Sequence, residues 1–383
     1  MKKKLLPILT LLIVIAIYAT PTLAATVCKI GNKGYSSLEA AIKAAKKGQT
    51  ITVTSNISTK KTVGIDTDNN IIIDFANKKY TYSGSSNTAA FEVMANVTFR
   101  NMNLYAKASD GIHVSPKSTL VISSGVYRGG SIRNDRGTIS IKGGTFFFNN
   151  PDENNPDADG RFNNYGVLKI SNGNFNSEST KNGGIVLLNF SKCTISGGTF
   201  KKEILNFRSL AITDGKFKGA VINENDSDGA GSIIIKGGNF TNLDVRQDTT
   251  VVINGGTFSS EGGPSIVVRG KNAKLTFKGG TVRGLKTVDG GKTTITGGKS
   301  IGTIESGNNG AVTVKSLTAN IKEVGNPIKA VFIAEDGGKI TVNGGSFTYK
   351  TGYGYALFGT GKITFGVKDP AKLFNVKKLV YKA

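Results

Sequence analysis

The chain has 383 residues and a formal net charge of +23, from 49 lysines and arginines against 26 aspartates and glutamates. It contains 50 glycines, no tryptophan and only two cysteines, which excludes a framework of disulfide bonds. The lysines are scattered and belong to no recognisable nucleic-acid-binding motif, so the sequence argues against a nucleic-acid partner. Two interpretations of the charge stay open: a solvated, lysine-rich surface, or attraction to an anionic polymer outside the cell, such as acidic polysaccharide, teichoic acid or another cell-envelope glycan.

The first 24 residues predict a secretory signal peptide. Lys2, Lys3 and Lys4 precede an apolar stretch at 5–19, and small residues end the segment just before Ala25. This stretch is short for a membrane anchor, and no later segment is apolar enough to span a bilayer. We therefore expect a secreted, extracellular protein without a membrane span after cleavage, either free or associated with the cell surface.

Residues 25–60 predict an N-terminal cap made of a helix and a first strand. The string SSLE at 36–39 is a capping-box candidate, apolar residues follow it at helical spacing, and Gly48 ends the pattern. A short amphipathic helix at this place would cover the open end of a stack of strands, where unpaired edges invite aggregation.

Between residues 61 and 350 one short string recurs. Near-copies of ISGGTF at 195–200 extend from ISSGVY at 122–127 to VNGGSF at 342–347. Their spacing of about 22 residues is typical of a solenoid. Apolar and polar residues alternate beside each copy with the period of a strand, and the glycine pair suits a tight corner. Each copy therefore predicts one coil of a solenoid. The residues beyond the repeats, 351–383, are expected to form a C-terminal cap.

Parallel stacking of these coils would bury the apolar face that a single coil cannot bury alone. It would also align the aromatic residues that end the copies in one internal ladder. The members of this predicted ladder are Tyr127, Phe146, Phe175, Phe200, Phe217, Phe240 and Phe258, continued by Val282 and Phe347. The isoleucine positions from Ile122 to Ile295 predict a second ladder.

Three strings near the N-terminus carry a resemblance to a known family. YSSLEAAIKAAKKGQTITVTSNI at 35–57, NIIIDFANKKYTYSG at 70–84 and VTFRNMNLY at 97–105 resemble the cap and first coils of the pectate-lyase-like (pectin lyase-like) superfamily of secreted bacterial β-helix proteins. The resemblance implies an all-β fold, a right-handed parallel β-helix solenoid with a short N-terminal capping helix. The superfamily includes polysaccharide lyases, glycoside hydrolases, phage tailspikes and non-catalytic surface proteins, so the resemblance selects no activity.

The residues that could support catalysis are few. The strings NTD, DD, GHG and RIK, which a hydrolase of this superfamily would carry, are absent. A lyase needs a base and a cation or basic side chains that neutralise a uronate carboxylate. The candidates for these roles are His113, Arg128, Arg133 and Arg136 on neighbouring coils, although the lyase motifs themselves are missing. Solvated polar residues at outward strand positions are the alternative interpretation.

Two acid-rich stretches are candidate Ca²⁺ sites. Acids at every second residue before a glycine turn can supply the oxygen ligands that Ca²⁺ prefers. The candidate ligands are Asp152, Asp157 and Asp159 in the first stretch, and Glu224, Asp226 and Asp228 in the second. Neither stretch has the acidic residue at position twelve of an EF-hand, and solvated loops remain the alternative.

Arg161, Phe162 and Tyr165 are candidate glycan-binding residues beside the first acid-rich stretch. Aromatic rings suit the apolar faces of sugars and arginine suits carboxylates, but core packing of the two aromatic residues is an open alternative. Strings such as TVT and TIT do not recur at a fixed coil position, which argues against an ice-binding face.

The leading hypothesis is a secreted, non-catalytic, adhesin-like β-helix protein of the cell surface that binds anionic or envelope glycans. The alternative is a Ca²⁺-assisted polyuronate lyase that uses the arginines and the first acid-rich stretch. Ca²⁺ is the one cofactor that either hypothesis considers.

Overall fold

The computed structural model describes residues 25–85, 88–149, 160–178, 184–321, 330–349, 355–374 and 381–382, so the predicted signal peptide lies outside them. The described chain is a parallel β-helix solenoid, as the sequence predicts. Its helices are Leu38–Ala44 and Pro370–Leu373. Among the described residues, neither helix has the length and apolar character needed to cross a membrane.

Each coil contributes strands to three faces. The first face belongs to a sheet of 17 strands in the described chain, in which Cys28–Ile30 and Lys33–Tyr35 extend the N-terminal end as an antiparallel pair. The parallel strands of the first face are Thr50–Val53, Ile71–Asp74, Asn96–Arg100, Thr119–Ile122, Thr138–Ile141, Val167–Ile170, Lys192–Ile195, Ser209–Ile212, Ser232–Ile235, Thr250–Ile253, Lys274–Phe277, Lys292–Ile295, Ala311–Val314, Lys339–Val342 and Lys362–Phe365.

The second and third faces are joined, because Met102–Val114 and Gly125–Asn134 each run across both of them. Together the two faces contain 27 described strands. The other strands of the second face are Ile57–Thr59, Tyr80–Tyr82, Thr145–Phe148, Asn174–Ser177, Thr199–Phe200, Lys216–Phe217, Asn239–Phe240, Thr257–Phe258, Thr281–Val282, Lys299–Ser300, Thr318–Ile321 and Ser346–Tyr349. The other strands of the third face are Val63–Ile65, Ala89–Val93, Phe162–Asn164, Ile185–Asn189, Glu203–Asn206, Val221–Asn223, Leu243–Val245, Ile266–Arg269, Leu285–Val288, Ile304–Ser306, Ala330–Ala334, Tyr355–Phe358 and Tyr381–Lys382. A small antiparallel hairpin of Asn225–Asp226 and Gly229–Ala230 projects between two coils.

The repeated glycine pair forms the corner between the first and second faces. Its second glycine has a positive φ, for example +99° at both Gly198 and Gly280. A Cβ atom added to Gly280 would stand 2.5 Å from the carbonyl oxygen of Gly256 in the preceding coil. Glycine is therefore required both for its backbone conformation and for the close approach of the coils.

The aromatic ladder lies inside the solenoid, as predicted. From Phe146 to Phe258 the rings stack with centroids 4.5 to 5.1 Å apart and interplanar angles of 3 to 11°. All of them are at most 2% exposed. Tyr127 is buried as well, but its ring is tilted by 37° from that of Phe146 and its hydroxyl donates to the Gly130 carbonyl at 2.8 Å. The predicted isoleucine ladder is likewise buried on the first face.

A polar ladder that the sequence analysis did not predict runs along the end of the third face. Its members are Asn134, Asn164, Asn189, Asn206 and Asn223, each at most 1% exposed. The Nδ2 atoms of the first four donate to Oδ1 of the next asparagine, at 2.7 to 2.8 Å. The same amides also donate to backbone carbonyls, as Asn189 does to Ser209 at 3.0 Å. These bonds fix the turn from the third face to the first.

The N-terminal helix covers the open end of the stack, as predicted, and buries Leu38, Ala41 and Ile42. Its N-cap is Ser37, whose hydroxyl accepts a hydrogen bond from the Ala40 amide at 3.1 Å. The capping box expected from SSLE does not form, because a cap at Ser37 places Glu39 one position too early to reach back. At the far end, the ring of Phe374 packs on Phe347 at 5.0 Å.

Candidate functional site

His113 and Arg133 lie side by side on the outward side of the third face, in register with Glu92. The Nδ1 atom of His113 donates to Oε2 of Glu92 at 2.8 Å. Nε2 of His113 is buried and has no hydrogen-bond partner among the described residues. A carboxylate that orients an imidazole is a common feature of proton-transfer sites, but here the second nitrogen is closed to solvent.

Two groups here, His113 and the nearby Asp110, have pKa values raised above their ordinary values. The hydrogen bond to Glu92 raises the pKa of His113, although burial and the nearby Arg133 oppose this effect. Burial raises the pKa of Asp110, and the charge of Arg133 opposes it in part. The cluster is therefore a source of pH-dependent stability.

The three candidate arginines do not converge. Arg128 lies on the second face, where its guanidinium stands 4.2 Å from the ring centroid of Phe147. Arg133 lies on the third face, and Arg136 is exposed in the turn beyond it, with a φ of +61°. Only Arg133 and His113 of the four predicted catalytic candidates are register neighbours.

The three candidate glycan-binding residues have different environments. Phe162 is 2% exposed and packs in the core, with its ring centroid 5.2 Å from that of Phe148, so the core-packing alternative holds for this residue. Arg161 donates to Asn163 at 3.3 Å. Tyr165 is 39% exposed.

The faces of the Tyr165 ring are nevertheless occupied. Phe190 of the following coil stacks on it with centroids 5.0 Å apart, and Arg133 of the preceding coil lies 5.2 Å from its centroid. Phe207 continues the stack at 4.7 Å from Phe190. Only the ring edge of Tyr165 is open, so a sugar cannot stack on this tyrosine without displacing a neighbour.

Two of the three candidate carboxylates in the second acid-rich stretch, Glu224 and Asp226, have basic partners, whereas that of Asp228 accepts only from the Ser227 hydroxyl among the described contacts. Glu224 accepts from Arg246 at 2.6 Å, and Asp226 accepts from Arg208 at 2.8 Å, which lowers the pKa of Asp226. The backbone amide of Asp228 also donates to Asp226, within the hairpin turn. Across the described ranges, no three His, Cys, Asp or Glu side chains are grouped so that they could hold a metal ion. For this stretch the arrangement favours a salt-bridged hairpin over a Ca²⁺ site.

The predicted ligands Asp152, Asp157 and Asp159 of the first acid-rich stretch lie outside the described residues.

The first face of the C-terminal coils carries a different surface. We call this surface the lysine–threonine face. Its strands stack in register and point two rows of side chains outward. The first row consists of Lys274, Lys292, Ala311, Lys339 and Lys362. The second row consists of Thr276, Thr294, Thr313, Thr341 and Thr364. The four lysines are exposed and the threonines are half-buried.

The charge of the lysine–threonine face is uncompensated. Its five strands contain no aspartate or glutamate, and in the described part of the chain none of its four lysines takes part in an ion pair. Lysines on adjacent strands, about 4.8 Å apart, repel each other. The face therefore carries a positive potential that an anion would relieve.

Sequence reasoning missed this surface. Single threonines recur at one coil position, but the intervals between them are 18, 19, 28 and 23 residues. Loops of unequal length hide the register. The available signal was the short pattern Lys-x-Thr that precedes several copies of the glycine pair, as in KLTF at 274–277 and KITV at 339–342.

Comparisons of the chain with protein-family models, with curated proteins and with solved structures find no match. The fold therefore defines the class, a parallel β-helix solenoid, and the resemblance to the pectate-lyase-like superfamily stays a prediction.

Proposed function

We propose that this chain is a secreted, non-catalytic β-helix protein of the wider pectate-lyase-like type, which binds an anionic glycan of a cell envelope through the lysine–threonine face. The observation that carries the proposal is the register of the four exposed lysines, Lys274, Lys292, Lys339 and Lys362, on one sheet. A rigid stack holds these like charges together at a cost in stability, and a bound polyanion would remove that cost.

The shape of the face suits an extended polymer. Four strand spacings of about 4.8 Å make the face about 19 Å long in the direction of the stack. Lysine ammonium groups are point charges that accept carboxylates or phosphates in many orientations. The threonine hydroxyls beside them both donate and accept, as sugar hydroxyls require. Many weak contacts along one polymer then add up to useful affinity.

The lyase alternative has less support. Its candidate arginines, Arg128, Arg133 and Arg136, lie on different sides of the solenoid, and Nε2 of His113 is closed to solvent. A lyase needs its base and its neutralising cations within reach of one uronate ring. This separation favours binding over catalysis.

The test is binding of the mature protein, residues 25–383, to polygalacturonate, alginate and teichoic acid, with neutral dextran as the negative ligand. The fourfold variant Lys274→Ala, Lys292→Ala, Lys339→Ala and Lys362→Ala should weaken polyanion binding by about tenfold or more, which is about 1.4 kcal/mol. A matched fourfold variant at exposed lysines on other surfaces, Lys142→Ala, Lys201→Ala, Lys218→Ala and Lys236→Ala, has the same net charge and should retain binding.

Equal weakening in both variants would mean that net charge alone attracts the polymer, and the face would then have no special role. Absence of binding to every polyanion would overturn the proposed function. A rise in the ultraviolet absorbance of unsaturated uronate during incubation would instead identify a lyase.

A further inference from the structure

A strip of apolar side chains lies on the outward side of the third face. Leu188, Leu205 and Ile222 are register neighbours there, while the residues before them in each strand point into the core. Phe190 and Phe207 extend the strip at the turn, where their rings stack at 4.7 Å. We call these five residues the apolar strip. Leu188, Leu205 and both rings are half-buried, and Ile222 is 7% exposed.

The charges beside the apolar strip are balanced. Arg208 pairs with Asp226 at 2.8 Å, and Arg246 bridges Glu224 at 2.6 Å and Asp244 at 2.9 Å. Arg269 also pairs with Asp244. Three arginines thus meet three carboxylates on this side of the solenoid, in a chain whose net charge is +23.

We propose that the apolar strip is the contact between two copies of this chain. Elsewhere the lysine excess repels a second copy, whereas the charges beside the strip allow close approach. Aromatic and leucine side chains within a rim of arginines and carboxylates have the composition of a protein interface. In a two-fold arrangement the same patch faces itself, so the arginines of one copy can meet the carboxylates of the other.

A second copy fits this surface because the patch beside the apolar strip carries both charge signs in equal number and is therefore complementary to itself. The five third-face strands from Ile185–Asn189 to Ile266–Arg269 extend for only about 19 Å along the stack, so the interface is at the small end of the specific class. We therefore expect a reversible dimer with a Kd in the micromolar range.

Sedimentation velocity of the mature protein over a range of concentrations tests the proposal, which does not depend on glycan binding. We expect a monomer–dimer equilibrium, and Leu205→Glu should weaken it by about tenfold or more. The matched control is Ile234→Glu, because Ile234 is also outward and apolar, is 44% exposed and lies on the first face. It should leave the equilibrium unchanged. Both variants should bind glycan as the parent does.

A second measurement tests the contact without weakening the dimer. In the Leu205→Cys variant, oxidation should link two chains by a disulfide near the two-fold axis, whereas Ile234→Cys should not be linked. A protein that stays monomeric at all concentrations would overturn the proposal. So would a dimer that persists in folded Leu205→Glu and is not linked through residue 205, because its contact would then lie elsewhere.

Discussion

Asn189 donates a hydrogen bond from Nδ2 to Oδ1 of Asn206 at 2.7 Å, and both side chains are 0% exposed. The bond joins two coils at the point where each turns from the third face to the first. The remaining Nδ2 hydrogen of Asn206 bonds to backbone carbonyls, including that of Arg208 at 2.9 Å. Both buried side chains thus have hydrogen-bond partners, at a position where an unsatisfied polar group would lower the stability of the fold.

Replacing Asn206 should therefore destabilise the solenoid strongly. Asn206→Ala removes the acceptor of one Nδ2 hydrogen of Asn189 and the donor to the Oδ1 atom of Asn223, and a buried group left unsatisfied costs about 1–3 kcal/mol. Denaturant unfolding measures the loss. Asn254→Ala, at an exposed position in the corner that follows a first-face strand, is the matched control and should change the free energy of unfolding by less than about 0.5 kcal/mol. If the two substitutions lowered the free energy of unfolding equally, the asparagine ladder would have no special structural role.

The aromatic ladder should be equally sensitive to truncation. Phe217 stacks between Phe200 at 5.1 Å and Phe240 at 4.5 Å, and is 2% exposed. Phe217→Ala should lower the free energy of unfolding by about 3–5 kcal/mol, because a cavity opens between two rings. Thermal melting compares it with Ile301→Ala at a position that is 43% exposed, where we expect almost no change. A melting temperature that hardly moves in Phe217→Ala would contradict the stacked core.

Stability should fall as pH rises through the range in which His113 titrates. Glu92 holds the pKa of His113 above its ordinary value of about 6.5, so the folded state favours the protonated imidazole. This stabilisation is complete below about pH 6.5 and is lost as pH rises through the higher folded-state pKa. Burial of Asp110 acts with the same sign, from about pH 4 upward.

Thermal melts between about pH 5 and 9 test this dependence on both sides of the ordinary histidine pKa. Glu92→Gln removes the carboxylate while keeping the size of the side chain, and should flatten the fall in melting temperature near neutral pH. If the parent and Glu92→Gln followed the same pH curve, the His113–Glu92 bond would have no role in stability.

Both cysteines should be inert in the folded protein. Cys28 and Cys193 are free and buried, and burial raises the pKa of Cys28 to about 11 and that of Cys193 further still. The thiolate is the reactive form, so neither thiol should react with a disulfide reagent at neutral pH until the chain unfolds. Absorbance of the released thiolate should report two thiols per chain in denaturant and none before. Rapid labelling of a native thiol would contradict this prediction. Ile234→Cys, at a position that is 44% exposed, serves as the reactive control.

Local rules in the sequence were sufficient for the scaffold. The glycine pair requires a corner that other residues cannot form, and the alternation beside it assigns Phe217 to the interior without knowledge of any neighbour. The N-terminal helix was likewise predicted from the spacing of its apolar residues, although its N-cap is Ser37 and not Ser36, the first residue of the expected capping box.

The surfaces depended on the tertiary structure. Arg128 and Arg133 are five positions apart in one strand but lie on two faces, because the strand turns a corner between them. Lys292 and Lys339 share a face across 47 positions, because hydrogen bonds between coils, and not intervals in the chain, decide which side chains become neighbours. The sequence by itself thus determined the corners and the interior of each coil, which are local. Only the stacking of the coils, with loops of unequal length between them, decided the asparagine ladder and the lysine–threonine face.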